Sequence, residues 1–175
     1  MHETIWRNLA TSITEHIEEG MWIDEQKRYG YGYVLYDDEL VRKYDTPQYF
    51  GPLYGYPISD KFREMIDSSL NNQSFFEYGI GYSEQEYHHG PWIFNTAANA
   101  QCQALVGNDN NYVSIVHWML EHSNAYGLLP EAIDGNSEDI CFINPLTWAC
   151  AEFISAVSIG KHLLTKPDLK LEVKG

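Results

Sequence analysis

The sequence predicts an all-α fold. Apolar residues recur at three- and four-residue intervals in five separate stretches, and these stretches open near Pro, Ser or Asp or close on Gly, the punctuation expected at helix ends. Only one stretch, YGYGYVLYDDEL ending at Leu40, alternates with a two-residue period.

The first helix follows from Ile5, Leu9, Ile13 and Ile17, four residues apart with Trp6 beside them, and it stops at Gly20. Such a stripe predicts a helix buried along one side. YGYGYVLYDDEL carries two early glycines, so it reads as a short extended piece leading into another helix rather than as part of a sheet. TPQYFGPLYGYPISD holds three prolines and two glycines and reads as a loop, after which Ser59 or Asp60 caps a helix bearing Phe62, Met65, Ile66 and Leu70. A further helix runs from Pro91 or Trp92 to Val106 and closes at Gly107. Another, from Asn111 to His122, sets Val113, Val116 and Met119 or Leu120 on one face, and the last, from Pro145 to His162, carries Leu146, Ala149, Phe153 and Val157 at helical spacing. Two connections remain, residues 71–90 and 124–144. Loops of about 20 residues in a compact domain are usually lids, binding loops or disorder, and these two are apolar enough to be ordered.

At 175 residues the chain reads as one domain, residues 1–165, followed by a tail, 166–175. A net charge of -14, from 25 acidic against 11 basic residues, repels nucleic acid and anionic membranes but is indifferent to a neutral ligand such as a sugar or a peptide. No apolar run approaches the roughly 18 residues of a membrane span. Three cysteines cannot all pair within the chain, and none has metal-ligand spacing, so a cytoplasmic protein is expected, with no metal and no cofactor. His88 and His89 are adjacent, and His117 and His122 are five apart; neither pair has the spacing of a helical metal site.

Tyr, Trp and Phe make up 14% of the chain, enough to build a core and still line a groove. Trp118 reads as core. Trp92, Tyr54, Tyr56, Tyr78, Tyr82 and Trp148 are the candidates for lining such a groove and stacking on a bound ligand. Trp148 also stands four residues before Glu152, so the two can share a helix face.

Glu131 closes the string GLLPE, and NPLTWACAEFISAV follows it; upstream lies GPWIFNTAANAQCQALVGN. A glutamate beside a loop is ordinarily just solvated. In this order and spacing, however, the three strings resemble the C-terminal portion of the glucoamylase family of glycoside hydrolases, and weaker likeness extends over residues 1–160. The resemblance implies about half of an α/α toroid and hydrolysis of an α-glucosidic bond with inversion. It assigns Glu131 as the general base that deprotonates the attacking water, while a second carboxyl protonates the leaving oxygen.

Ala132, and Ala149 with Cys150, depart from the family pattern, which has Gln at the first position and Ser-His at the other two. The family's acid belongs upstream of the matched stretch. Within this chain Glu77, Glu84 and Glu86 are the local candidates. The resemblance therefore implies three arrangements: an enzyme completed by a chain that supplies an N-terminal half, a sugar-binding domain without catalysis, or a homodimer that covers the exposed inner faces. An oligosaccharide or glucoside is the expected ligand in each.

Overall fold

The computed structural model describes residues 2–30, 32–33, 40–41, 46–82 and 88–165. The elements are α1 (His2–Gly20), β1 (Trp22–Ile23), β2 (Arg28–Tyr29), β3 (Gly32–Tyr33), β4 (Leu40–Val41), α2 (Phe50–Leu53), α3 (Asp60–Asn72), β5 (Ser74–Phe75), β6 (Gly79–Ile80), α4 (Ile93–Val106), α5 (Asp109–Glu121), β7 (Ala132–Ile133), β8 (Ile140–Cys141) and α6 (Thr147–Leu164). The described residues are mostly helical, with four two-stranded antiparallel ribbons among them that join consecutive strands.

The helix ends carry the expected chemistry. Ser59 Oγ accepts the Phe62 N–H at 3.1 Å and starts α3, and Gly107, at φ +91°, closes α4 in the left-handed conformation that glycine adopts without strain. Trp92 rather than Pro91 is the cap of α4, because Pro91 lies in an extended bridge opposite Gly81.

The core is built around α4, whose residues from Ile93 to Gln103 are all buried. Ile93, Ala97 and Ala100 meet Tyr112, Val116 and Met119 of α5 and Ala149 and Ala156 of α6. Ala98 and Cys102 meet Phe62, Met65 and Ile66 of α3. Small side chains at four α4 positions let neighbouring helices approach from both sides. Three buried polar side chains of α4 are tied to those neighbours: Asn99 Nδ2 donates to Ser69 Oγ at 2.9 Å, Gln103 Nε2 to the Ile66 carbonyl at 3.1 Å, and Gln101 Nε2 to Glu152 at 3.0 Å. Such pairing removes the cost of burying them.

Two sequence expectations are corrected. The α1 stripe is not buried: Ile5, Trp6, Leu9 and Ile13 are 47–66% exposed, and only the last turns of α1 pack. There Glu18 Oε1 accepts hydroxyls from Tyr29 at 2.8 Å, Tyr56 at 2.7 Å and Ser59 at 3.0 Å. Periodicity reports that a helix has an apolar side, not that its own chain covers it. The second correction is YGYGYVLYDDEL, which does pair: Gly32–Tyr33 lies antiparallel to Leu40–Val41. The residues directly after Val41, 42–45, where the expected helix would begin, lie outside the described residues.

Both long connections are ordered by ribbons, the β5–β6 pair in the first and the β7–β8 pair in the second. Cys102, Cys141 and Cys150 are free thiols. Among the described residues no helix is long and apolar enough to cross a membrane.

Candidate functional site

The GLLPE string is fixed from several directions. Asn124 Oδ1 accepts the N–H groups of Tyr126 at 2.9 Å and Leu128 at 3.1 Å, and Gly127 takes φ +73°, so the chain leaves α5 in a tight turn. Leu129 is buried. Its carbonyl accepts the Leu146 N–H at 3.0 Å, and its own N–H donates to Cys150 Sγ at 3.4 Å. The PLTWAC string thus braces GLLPE through one backbone bond and the Cys150 thiol, which also donates to the Leu129 carbonyl at 3.8 Å, and Cys150 serves as a small packing and hydrogen-bonding side chain.

Glu131 is held by its own backbone. Its N–H donates to the Ile143 carbonyl at 2.9 Å, and its carbonyl accepts the Ile93 N–H at 3.1 Å. Ile93 is the first residue of α4, so its amide has no acceptor within the helix, and Glu131 supplies one. The pairing continues along the chain: Trp92 bridges Ala132, Ile133 N–H donates to the Pro91 carbonyl at 3.0 Å, and Gly135 N–H donates to His89 at 2.9 Å. The segment 89–93 and the segment 131–135 therefore run as one extended pair beneath the site. Glu131 Oε2 accepts the Ile143 N–H at 3.3 Å, which orients the carboxylate.

Above Glu131 opens a cleft of about 680 Å³, the volume range of small-molecule sites. Its lining is mostly aromatic: Trp92, Phe94, Trp148, Phe50, Tyr54 and Tyr82, with Leu146 and Glu131. Phe94 and Trp148 stack with centroids 4.3 Å apart and planes at 21°. Trp92 meets Tyr82 at 5.5 Å and Phe94 edge-on at 5.9 Å. Trp148 remains 53% exposed, so its ring rests on Phe94 while much of its surface faces open space. Among the described lining residues Glu131 is the one carboxylate.

Of the residues singled out from sequence, Glu131, Trp92, Trp148, Tyr54 and Tyr82 line this one cleft. Tyr78 does not; it packs against the core around α4, α5 and α6, because the β5–β6 ribbon turns back over that core. Tyr56 is engaged with Glu18, away from the cleft. Glu77 is exposed at φ +70° and lines no part of the cleft, whereas Glu84 and Glu86 lie outside the described residues. Glu152 accepts from Gln101, which gives it a structural partner inside the helical layer. Trp118 is buried. His88 Nε2 donates to the Ile133 carbonyl at 2.9 Å, bracing the same extended pair.

Sequence reasoning missed Phe50, Phe94, Leu146 and Phe142. Phe50 and Tyr54 are four apart and Trp92 and Phe94 two apart, a clustering that would have marked the first two. Phe142 carries no such signal: it adopts φ +61°, and its ring meets His88 at 4.9 Å and Trp92 at 5.8 Å.

No protein-family model and no curated protein matches the sequence. Solved structures do. A wild-type glycosidase superposes with a TM-score of 0.66 at 16% identity, covering 88% of this chain and 43% of that chain. A form of a glycosidase with one glutamate replaced by alanine, in complex with glucose, gives 0.65 at 14% identity with the same coverage. The likeness is one of fold, and this chain spans less than half the length of the chains it matches.

Proposed function

We propose that the cleft above Glu131 binds the end of an α-glucoside, and that Glu131 is the general base of an inverting hydrolysis related to that of glucoamylases. The observation that carries this reading is the joining of one oriented carboxylate to an aromatic wall in a single cleft. Ile143 N–H holds Oε2, which leaves Oε1 as the oxygen that takes a proton from water. Trp148, resting on Phe94 and open on the other side, supplies an apolar platform for the C–H face of a pyranose. Tyr82 and Tyr54 line the same cleft. The glycosidase likeness and the glucose complex of one such structure support a sugar in this place.

Inversion needs a second carboxyl roughly 6.5 to 9.5 Å from the base, so that a water fits between the base and the anomeric carbon. None of the other described lining residues is a carboxylate. The sequence offers Glu84 and Glu86 as local candidates for the acid, and a chain that completes the half toroid is the other source. The single carboxylate also supports a second reading, a sugar-binding domain of glycosidase descent without turnover. Both readings make the cleft a sugar site.

Glucose release from maltose, soluble starch and trehalose by the purified chain, with Glu131→Gln beside it, separates the two. Release that disappears in Glu131→Gln supports the hydrolase. Saturable quenching of tryptophan fluorescence by maltose without release supports the binding domain. Neither release nor quenching refutes both.

A further inference from the structure

We infer that Phe142 is the positioning residue of Glu131: its left-handed backbone, kept by the contact of its ring with His88 and Trp92, aims the Ile143 N–H at the carboxylate. The inference rests on the reading of Glu131 as a general base.

Among the described residues, five other than glycine take positive φ. Lys27, Phe76, Glu77 and Glu138 lie between paired strands, where a tight reversal accounts for them. Phe142 does not; it follows β8, at φ +61°. A bulky residue stays in that conformation only where its surroundings fix it, and such outliers gather at functional sites. Burial is not what fixes Phe142, which is 57% exposed. Two rings do: His88 meets it edge-on at 4.9 Å, and Trp92 lies at 5.8 Å with planes at 31°. His88 is itself bonded to the Ile133 carbonyl, and Trp92 caps α4. The Phe142 ring therefore leans on the extended pair beneath the site.

The strand register shows what the turn does. Ala132 pairs with Cys141, so by count Phe142 stands opposite Glu131 and Ile143 opposite Pro130. A proline has no N–H, and a regular ladder would leave the Ile143 carbonyl without a donor. With Phe142 turned left-handed, the pairing slips by one residue, as at a bulge. The Ile143 carbonyl then accepts the Glu131 N–H at 2.9 Å, and the Ile143 N–H donates to Glu131 Oε2 at 3.3 Å. One residue thus grips both the backbone and the side chain of Glu131. Among the described residues no other donor reaches that carboxylate. A base with one oxygen held presents the other in a fixed direction, and a misplacement of about 1 Å at a reacting group is costly in rate.

Two variants separate ring from backbone. Phe142→Ala loses the ring and keeps a residue that resists the left-handed region, whereas Phe142→Gly loses the ring and takes that region without strain. The Ile143 amide proton, followed by NMR at neutral pH, reads the bond directly. In the wild-type background Glu131→Gln is expected to move that proton upfield, because a charged acceptor becomes a neutral one. In the Phe142→Ala background the same replacement hardly moves it, and in the Phe142→Gly background it moves it again. Amide exchange at Ile93 and Ile133 stays as slow as in the wild type in all of them. On maltose, Phe142→Ala lowers kcat about tenfold with KM changed less than about twofold, since Phe94 and Trp148 keep their stack, and Phe142→Gly recovers most of the loss.

Equal responses to Glu131→Gln in the wild-type and Phe142→Ala backgrounds overturn the proposal. So does a Phe142→Gly chain whose response is lost as fully as that of Phe142→Ala. Fast exchange at Ile93 and Ile133 in Phe142→Ala overturns it too, because Phe142 would then brace the fold rather than aim one amide. A wild type that releases no glucose counts against the general base alone, and the amide comparison still decides what Phe142 does.

Discussion

Replacing Gly90 by alanine tests whether the extended pair beneath Glu131 is what holds the site. A Cβ at Gly90 would lie 2.2 Å from the Ile133 carbonyl oxygen, 2.7 Å from the Gly135 nitrogen and 2.9 Å from His88 Nε2. The two nearest atoms are backbone and cannot rotate away. The segments must open by about 1 Å to reach ordinary contact, and the hydrogen bonds from Ile133 to Pro91 and from Gly135 to His89 lie on either side of the clash. Overpacking costs about 1–3 kcal/mol, and each bond lost costs about 1 kcal/mol net. The sum, about 3–5 kcal/mol, is a large share of the 5–15 kcal/mol typical of a domain. With a urea slope near 2 kcal/mol/M, the unfolding midpoint drops by roughly 1.5 to 2.5 M. Gly107→Ala serves as the comparison: nothing lies within 4 Å of its Cβ, and only the left-handed backbone is strained, a cost of about 1–2 kcal/mol. A Gly90→Ala midpoint no lower than that of Gly107→Ala would refute the reasoning. So would a Gly90→Ala chain that is destabilised yet binds maltose as the wild type does.

Other perturbations test other contacts. Gly160→Ala sets a Cβ 2.1 Å from Cζ of the buried Tyr112 ring and crowds the hydroxyl that donates to the Ala156 carbonyl at 3.1 Å; thermal unfolding should show a loss of about 1–3 kcal/mol despite the better helix propensity of alanine. Trp148→Ala removes a half-exposed ring, so stability should change little while titration with maltose shows affinity reduced by tenfold or more. Alkali should destabilise the fold. Burial pushes the Tyr112 hydroxyl up to about 12, against about 10 in an unfolded chain, so its contribution is whole below pH 10 and is lost as pH rises from 10 to 12. Urea midpoints measured across that range should fall, and less steeply in Tyr112→Phe.

How much of this was legible in the sequence differs by element. Ser59 and Gly107 marked helix ends because their chemistry is local: a side-chain oxygen within reach of an orphan N–H, and a residue free to turn left-handed. The α1 stripe was legible as a helix and misleading as a burial, since what covers a helix is a property of its surroundings. Tyr78 and Tyr82 are four apart in one loop, yet only Tyr82 lines the cleft, because the β5–β6 ribbon sends Tyr78 into the core. No local pattern records that turn. The brace from Cys150 to Leu129 was hidden for a similar reason, as 21 residues separate two groups that fold into contact.

The carbonyl of Glu131 that receives the first amide of α4 couples a loop to the most buried helix of the molecule. Loop residues ordinarily open on their own, with amide protons that exchange fast, while central helices exchange only through wide unfolding. Here the amides of Ile93, Glu131 and Ile133 belong to one hydrogen-bonded set that ends in α4, so the position of the carboxylate inherits the slow exchange of the core. Glu131 is therefore held by the fold itself, and a ligand of this cleft would not have to organise it on binding.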